Sequence, residues 1–114
     1  MSGQNHKILA SVKIALCRHL EQAHKGEKEV VSSRQLENFF HLKGSELRRL
    51  VNILRCEGKP ICSNAMGYFY AATQQELQET ISQLTSRIQM ISRARDGLLK
   101  SLERHTQRRT GNGE

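Results

Sequence analysis

The sequence predicts a mainly α-helical protein with one small β-hairpin, an α+β fold that ends in a long C-terminal helix. Apolar residues recur at intervals of three and four over most of the 114 residues, as they do on the buried faces of helices. A segment after Pro60 breaks this pattern and carries the turn chemistry and β-forming residues of two short strands. The length is enough for one compact domain with an appended element, rather than two independent cores.

The composition favours a cytoplasmic protein with a negatively charged partner. The net charge is +7 and the pI is about 9.8, which favours nucleic acid first and an anionic membrane surface second. No run approaches the about 20 apolar residues that span a bilayer, and the opening MSGQNHK lacks the apolar stretch of a secretory signal. The three cysteines are odd in number, which argues against a disulfide framework and for a reducing compartment.

Two amphipathic helices come first. Apolar side chains recur at helical spacing over residues 7–23, and a Gly-containing charged loop follows. Val30 and Val31 form a β-branched pair that is too short for an independent strand. The Ser-rich start at Ser32 predicts a second helix of about two turns. Its apolar face consists of Leu36, Phe39 and Phe40.

A tight turn at residues 41–44 leads into a third helix, SELRRLVNILRCEG. The inward stripe of this helix is Leu47, Leu50, Val51 and Leu54. Gly58 and Pro60 end it, after which residues 61–63 and 68–71 are predicted to be strands around a turn at residues 64–67. Helix, short strand, helix, turn, helix and hairpin is the plan of a winged helix-turn-helix domain, predicted here over residues 1–72.

The outward face of the third helix is polar and basic, and we expect it to enter the major groove of double-stranded DNA. Arg can bond guanine edges or phosphates, and Asn can pair with adenine. The alternative is that these arginines form a solvated helix face, partly offset by Glu46 and Glu57. The hairpin tip carries no Lys or Arg of its own, which weakens the case for a DNA contact there. The predicted DNA-binding residues are Arg34, Gln35, Lys43, Ser45, Arg48, Arg49, Asn52, Arg55, Lys59 and Asn64.

The segment from Ser32 to Thr73, SSRQLENFFHLKGSELRRLVNILRCEGKPICSNAMGYFYAAT, resembles bacterial and prophage winged-helix proteins of unassigned function. The resemblance is strongest in LRRLVNILRCEGKPICS joined to GYFYA. It implies a recognition helix, a tight Gly-Pro exit and two wing strands, and with them DNA binding in phage-type regulation or replication. Many proteins of this kind have Ser or Thr where this chain has Lys43, so the cap of the third helix differs here.

The last helix is predicted over residues 73–104, starting with a capping box formed by Thr73 and Glu76. Its apolar positions alternate intervals of four and three, the heptad pattern of a coiled coil, with Arg95 at one position. About 30 helical residues span about 45 Å, more than so small a domain covers, so at least the distal half is expected to have a partner. We name as the apolar stripe the predicted dimerisation residues Leu77, Ile81, Leu84, Ile88, Ile91, Leu98 and Leu102.

Two interpretations of this helix stay open. Either two copies bury the apolar stripe against each other, or the first half of the helix folds back onto the first helix of its own domain. The polar residues 105–114 are predicted to be a disordered tail.

Catalysis and cofactor binding find little support in the sequence. The five histidines are scattered, and neither they nor the cysteines have the spacing of a metal site. Cys56 and Cys62 are interpreted as small buried apolar groups. Phosphate-binding loops, nucleophile motifs and paired catalytic carboxylates are not recognisable, so we expect no enzymatic activity, no cofactor and no small-molecule substrate.

Two functional hypotheses follow. The first is a homodimeric, sequence-specific protein that binds double-stranded DNA and acts as a phage or bacterial type of regulator. The second is a protein-protein interaction module on a winged-helix scaffold, with the long helix as the partner surface, because a fold does not by itself fix a function.

Overall fold

The computed structural model describes the backbone of residues 2–112 and the side chains of residues 9–107. The described part is mainly helical with one two-stranded antiparallel sheet, which confirms the α+β class. The elements are α1 (Ser2–Ala23), a 3-10 turn (Glu27–Glu29), α2 (Ser33–Phe40), α3 (Gly44–Cys56), β1 (Ile61–Asn64), β2 (Gly67–Tyr70) and α4 (Gln74–Asn112).

The starts of α2 and α4 are capped by side chains, as the sequence predicted. The Ser32 Oγ accepts a hydrogen bond from the Gln35 N–H at 3.1 Å, and the Gln35 Oε1 accepts from the Ser32 N–H at 3.3 Å. At α4 the Thr73 Oγ1 accepts from the Glu76 N–H at 3.2 Å, and the Glu76 carboxylate accepts from the Thr73 N–H at 3.2 Å. Both pairs form capping boxes, which satisfy N–H groups that a helix start leaves without partners.

The β-hairpin is extended along β2 by two isolated residue pairs from the segment between α1 and α2, Lys25 with Tyr70 and Val31 with Tyr68. Ile61 lies opposite Tyr70 and Asn64 opposite Gly67 in the antiparallel register. Val31 then pairs with Tyr68 through two backbone hydrogen bonds of 2.9 Å each. The short β-branched pair predicted at Val30 and Val31 thus contributes one bridge and does not form a strand of its own.

The core lies where the first three helices meet the hairpin. All four residues of the predicted α3 stripe are buried, which confirms that prediction. The other buried core residues described are Leu16, Leu20, Val31, Leu36, Ile61, Cys62 and Phe69. Cys62 is fully buried as predicted, whereas Cys56, at the end of α3, is exposed and the prediction for it was wrong.

The predicted apolar face of α2 is only partly buried. Leu36 is buried and Phe40 packs against the core, but the Phe39 side chain is 64% exposed. Phe39 stacks on the ring of His19 instead, with ring centroids 4.7 Å apart. In a helix of eight residues Phe39 falls at the edge of the buried stripe, so it contacts a surface side chain of α1.

The chain divides into two compact units, Met1–Thr80 and Ile81–Glu114. The first unit thus extends past the boundary predicted at residue 72, because the first turns of α4 bond to β1. Thr80 is buried and its Oγ1 accepts a hydrogen bond from the Ser63 N–H at 3.3 Å, while the Cys62 thiol lies 3.7 Å from the Glu76 carbonyl oxygen.

The second unit is the remainder of α4, and its large apolar side chains are exposed except for the half-buried Leu84. Exposure is 53% at Ile81, 64% at Ile88 and 73% at Leu98. The helix continues to Asn112 rather than ending near Arg104, and residues 113–114 of the predicted tail lie outside the described residues. Of the helices in the described part, none combines the length and the apolar character needed to cross a bilayer.

Candidate nucleic-acid interface

Helix α3 separates its apolar and polar residues onto opposite faces. Its apolar residues are buried against the core, and four polar residues between them are exposed. We name these the α3 outer face, which consists of Ser45, Arg48, Arg49 and Asn52. Their exposure matches the prediction that this face is available to a ligand, and two of its four side chains are permanently charged guanidinium groups.

The turn between α2 and α3 is fixed by the end of α2. His41 adopts a left-handed conformation with φ 55°, and its N–H donates to the Glu37 carbonyl oxygen. The Leu42 N–H donates to the same oxygen at 2.8 Å, and the Leu42 side chain packs against the core as predicted. A helix end closed in this way reverses the chain within a few residues, which sets the direction in which α3 leaves.

The predicted phosphate contacts at the helix starts are exposed. Arg34 lies in the first turn of α2, and Lys43 directly precedes α3, where its N–H donates to the Glu46 carboxylate at 2.8 Å. Gln35 is exposed as well, but its Oε1 is occupied by the α2 cap. Of these three predicted residues, Arg34 and Lys43 carry a positive charge, and Lys43 lies directly at the start of α3.

Arg55 does not share the α3 outer face. Its guanidinium donates from Nε to the Ile61 carbonyl oxygen at 2.8 Å and from Nη2 to the Ser63 Oγ at 3.0 Å, and the residue is half-buried. Helical spacing placed Arg55 one turn beyond Asn52, but that spacing carries no information on where the following strand returns. The structure assigns Arg55 to the junction of α3 and β1.

The hairpin tip, residues 64–67, carries no cationic side chain that could bind an anion. The Asn64 Oδ1 accepts from the Met66 N–H at 2.8 Å and from the Gly67 N–H at 3.2 Å, so this predicted DNA-binding residue closes the turn. Met66 is 70% exposed at the tip. Lys59 is exposed at the entry to the hairpin and is its nearest cation in the sequence.

Acidic side chains near the interface modify its charge. Glu57 forms an ion pair with Lys13 of α1, a partner that its sequence position did not reveal. The carboxylate of Glu37 and the Nη1 of Arg48 each lie 3.5 Å from the position that a Cβ on Gly44 would occupy. Glu37 is thus the acidic group near the α3 outer face that sequence spacing did not indicate, because the α2–α3 turn brings it there.

A groove of about 250 Å³ lies between α1 and α3 beside this interface. It is lined by Leu9, Ala10, Lys13, Glu46, Arg49, Leu50 and Ile53. Arg49 therefore belongs to the α3 outer face and also lines the groove.

The half-buried Cys17 thiol and the buried Cys62 thiol are poorly suited to nucleophilic chemistry. Burial raises the pKa of the Cys17 and Cys62 thiols above the ordinary value, so both stay protonated at neutral pH. In the described residues, no group of three or more His, Cys, Asp or Glu side chains comes together as metal ligands.

Comparison with known proteins gives no match: no family model fits the sequence, and neither curated proteins nor solved structures are similar to it at a significant level.

Proposed function

We propose that this chain is a winged helix-turn-helix protein that binds double-stranded DNA, with α3 in the major groove. The observation that carries the proposal is the α3 outer face, where Arg48, Arg49 and Asn52 are exposed on a helix anchored by its other face. These are the side-chain types that bond guanine and adenine edges and phosphates.

The surrounding elements support this proposal. α2 and α3 follow each other through a tight turn, as the two helices of a helix-turn-helix motif do, and the antiparallel hairpin follows α3 as a wing would. The bridge between Val31 and Tyr68 lies where the winged plan has its short strand between the first two helices, although Val31 forms only one bridge here. The proposal includes a cytoplasmic location, from the odd number of cysteines, and a bacterial or phage setting, from the resemblance carried by residues 32–73.

Charge reversal on the α3 outer face tests the proposal. We expect Arg48→Glu together with Arg49→Glu to weaken binding to duplex DNA by at least about 100-fold, because two contacts of about 1–3 kcal/mol each are lost and replaced by repulsion. The measurement is fluorescence anisotropy against random duplex and against fragments flanking the gene, over a salt series. Specific binding shows as preference for one fragment on top of a steep salt dependence.

The matched control is Lys25→Glu together with Lys28→Glu. Both lysines are exposed in the loop between α1 and α2, and the change in net charge is the same. The proposal requires the control to retain most of the affinity. Equal loss in both double variants would mean generic phosphate attraction, and no binding of the wild type at low salt would reject DNA as the ligand.

We further propose that two copies associate through the apolar stripe of α4. Five of its seven residues are exposed, and the remaining two, Leu77 and Leu84, are half-buried. The exposed apolar side chains recur at heptad spacing, as they do along a coiled-coil seam. A two-fold dimer would present two copies of α3, which predicts a palindromic or repeated DNA site.

The alternative is a protein-protein interaction module in which the same stripe binds a different protein. The observation that favours it is again the exposed stripe, since a helix with such a surface needs a partner of some kind. In this alternative the α3 outer face is a solvated surface. The charge-reversed variant would then bind the protein partner as well as the wild type does, and neither protein would bind DNA specifically.

A further inference from the structure

We propose that His19 and His24 form a binding site for one divalent transition-metal ion such as Zn²⁺ or Ni²⁺. The Nε2 atoms of the two rings lie 3.3 Å apart. A tetrahedral Zn²⁺ with Zn–N bonds of about 2.1 Å holds two ligand nitrogens about 3.4 Å apart, so the pair is already at the separation that such an ion needs.

The relative orientation of the rings favours this arrangement over a simple hydrogen bond. The ring centroids are 4.9 Å apart and the planes are inclined at 62°. Two imidazoles joined by a collinear N–H···N bond of this length would have centroids about 5.6 Å apart. Two imidazoles on one tetrahedral ion have centroids about 5.3 Å apart, because their Nε2 atoms then point to a shared position. The observed separation thus departs from the collinear value in the direction that a shared ion requires.

The outer nitrogen of His24 is held in the way that is common for metal-binding histidines. Its Nδ1 lies 2.8 Å from the Glu29 carbonyl oxygen, which can only accept a hydrogen bond, so the proton is on Nδ1. In the neutral ring the Nε2 of His24 therefore carries a lone pair directed at His19. A ring N–H bonded to a backbone carbonyl both fixes the tautomer and orients a ligand.

His19 is held by aromatic contacts. Its ring stacks on Phe39 at an angle of 17° and meets the edge of Phe40, with centroids 5.5 Å apart. These two ring contacts fix the orientation of the His19 imidazole beside His24.

The site is a two-ligand site completed by water. Within the described residues no third His, Cys, Asp or Glu joins the pair, so the ion would keep open coordination positions. Imidazole pairs suit Zn²⁺, Ni²⁺ and Cu²⁺ rather than Mg²⁺ or Ca²⁺, which prefer oxygen ligands. The spacing of five residues gave no metal motif in the sequence, because α1 ends at Ala23 and His24 lies beyond the helix.

Titration of the full chain with ZnSO₄ and NiCl₂ at neutral pH tests the site, in a Cys56→Ser background that removes the exposed thiol. Calorimetry is expected to show one saturable site, and His19→Gln or His24→Gln should each weaken the affinity at least about tenfold. His105→Gln is the matched control, since His105 is exposed and its Nδ1 also lies near a backbone carbonyl oxygen.

Imidazole ¹⁵N spectra of the wild-type protein test the same point without any loss of folding by substitution. Zn²⁺ is expected to shift the Nε2 resonances of His19 and His24 together, with the same saturation. Three results would overturn the proposal: no saturable binding up to about 1 mM metal, equal affinity in all three variants, or a shift at only one of the two rings.

Discussion

Single residues decide how the hairpin meets the rest of the first unit, and Gly67 is the most restricted of them. Its φ is +147°, and a Cβ placed on it would lie 2.0 Å from the Val31 carbonyl oxygen. That oxygen accepts a hydrogen bond from the Tyr68 N–H. The bridge between Val31 and Tyr68 can therefore form only because residue 67 has no Cβ. A glycine is required here both for its backbone conformation and for the close approach of two chains.

We therefore expect Gly67→Ala to lower the free energy of unfolding by about 2–4 kcal/mol, since the methyl group forces the bridge apart. Gly58→Ala separates the two causes, because Gly58 has φ +89° but no atom within 4 Å of its Cβ position. The control should lose only the conformational part, about 1 kcal/mol. Urea denaturation measures both, and equal losses would show that the contact with Val31 is unimportant.

Glu76 is the residue that ties the start of α4 to the loop after α1. Its carboxylate accepts from the Glu27 N–H and the Ala72 N–H at 2.8 Å each, and from the Thr73 N–H. These backbone hydrogen bonds, that of Glu27 first, hold the pKa of Glu76 below its ordinary value. The charged form is thus favoured by folding, and its contribution to stability is present above the unfolded-state pKa of about 4.3.

The wild type should accordingly lose stability as the pH falls from about 5 through the lowered pKa of Glu76, and Glu76→Gln should flatten this part of the profile. At pH 7 the variant is expected to be less stable by about 1 kcal/mol, as for a lost helix cap. Thermal unfolding from pH 7 to pH 3 is the measurement. The control is Glu79→Gln, which removes a carboxylate that accepts only from the Gln75 side chain among the hydrogen bonds described, and its stability profile should follow that of the wild type. A Glu76→Gln profile that runs parallel to the wild-type profile would contradict the assignment.

Between elements, Arg55 connects the end of α3 to β1 through its two hydrogen bonds. This predicts a division of roles among the arginines of α3 that helical spacing alone does not give. Arg55→Met should lower the free energy of unfolding by about 1–3 kcal/mol, because the Ile61 carbonyl oxygen and the Ser63 hydroxyl lose a charged donor. Arg48→Met should leave the stability within about 0.5 kcal/mol, since Arg48 is exposed.

Under the proposed function the two variants should also differ in DNA binding. Arg48→Met is expected to weaken affinity by about 1–3 kcal/mol, whereas Arg55→Met should reduce it only as far as the fold is lost. Anisotropy at a temperature well below unfolding separates the effects. A stable Arg55→Met protein that no longer binds DNA would return Arg55 to the interface.

Local patterns predicted the elements well, and contacts between distant elements less well. The α3 stripe, the Ser-capped start of α2, the capping box of α4 and the hairpin depend on neighbours within a few residues, and they lie where the sequence predicted them. Three features depend instead on which distant element packs nearby: the direction of Arg55, the burial of Thr80, and the pairing of Lys13 with Glu57. The periodicity of apolar residues carries no information on such contacts between distant elements. The exposed α3 outer face was predictable because it is the complement of the buried stripe.

For the whole molecule, the two units differ in their density of positive charge. Residues 1–80 carry eleven basic and eight acidic side chains, and residues 81–114 carry seven basic and three acidic ones. The second unit therefore holds more than half of the net charge of +7 in less than a third of the chain. It also holds most of the exposed apolar stripe, so positive charge and exposed apolar surface lie together on the distal part of α4.

The dimer proposed for the whole molecule makes the last prediction. Ile88 is 64% exposed in the middle of the apolar stripe, and a carboxylate there would be buried and unpaired in a seam between two copies. We expect Ile88→Asp to be monomeric by sedimentation equilibrium at concentrations where the wild type is a dimer. Gln89→Asp adds the same charge at the next exposed position, away from the heptad seam, and should stay dimeric. Because a monomer presents one α3, Ile88→Asp should also bind a two-half-site DNA more weakly while keeping its affinity for a half-site. A dimeric Ile88→Asp would remove the stripe from the interface, and a wild type that is monomeric at every concentration would leave the stripe to a different protein partner.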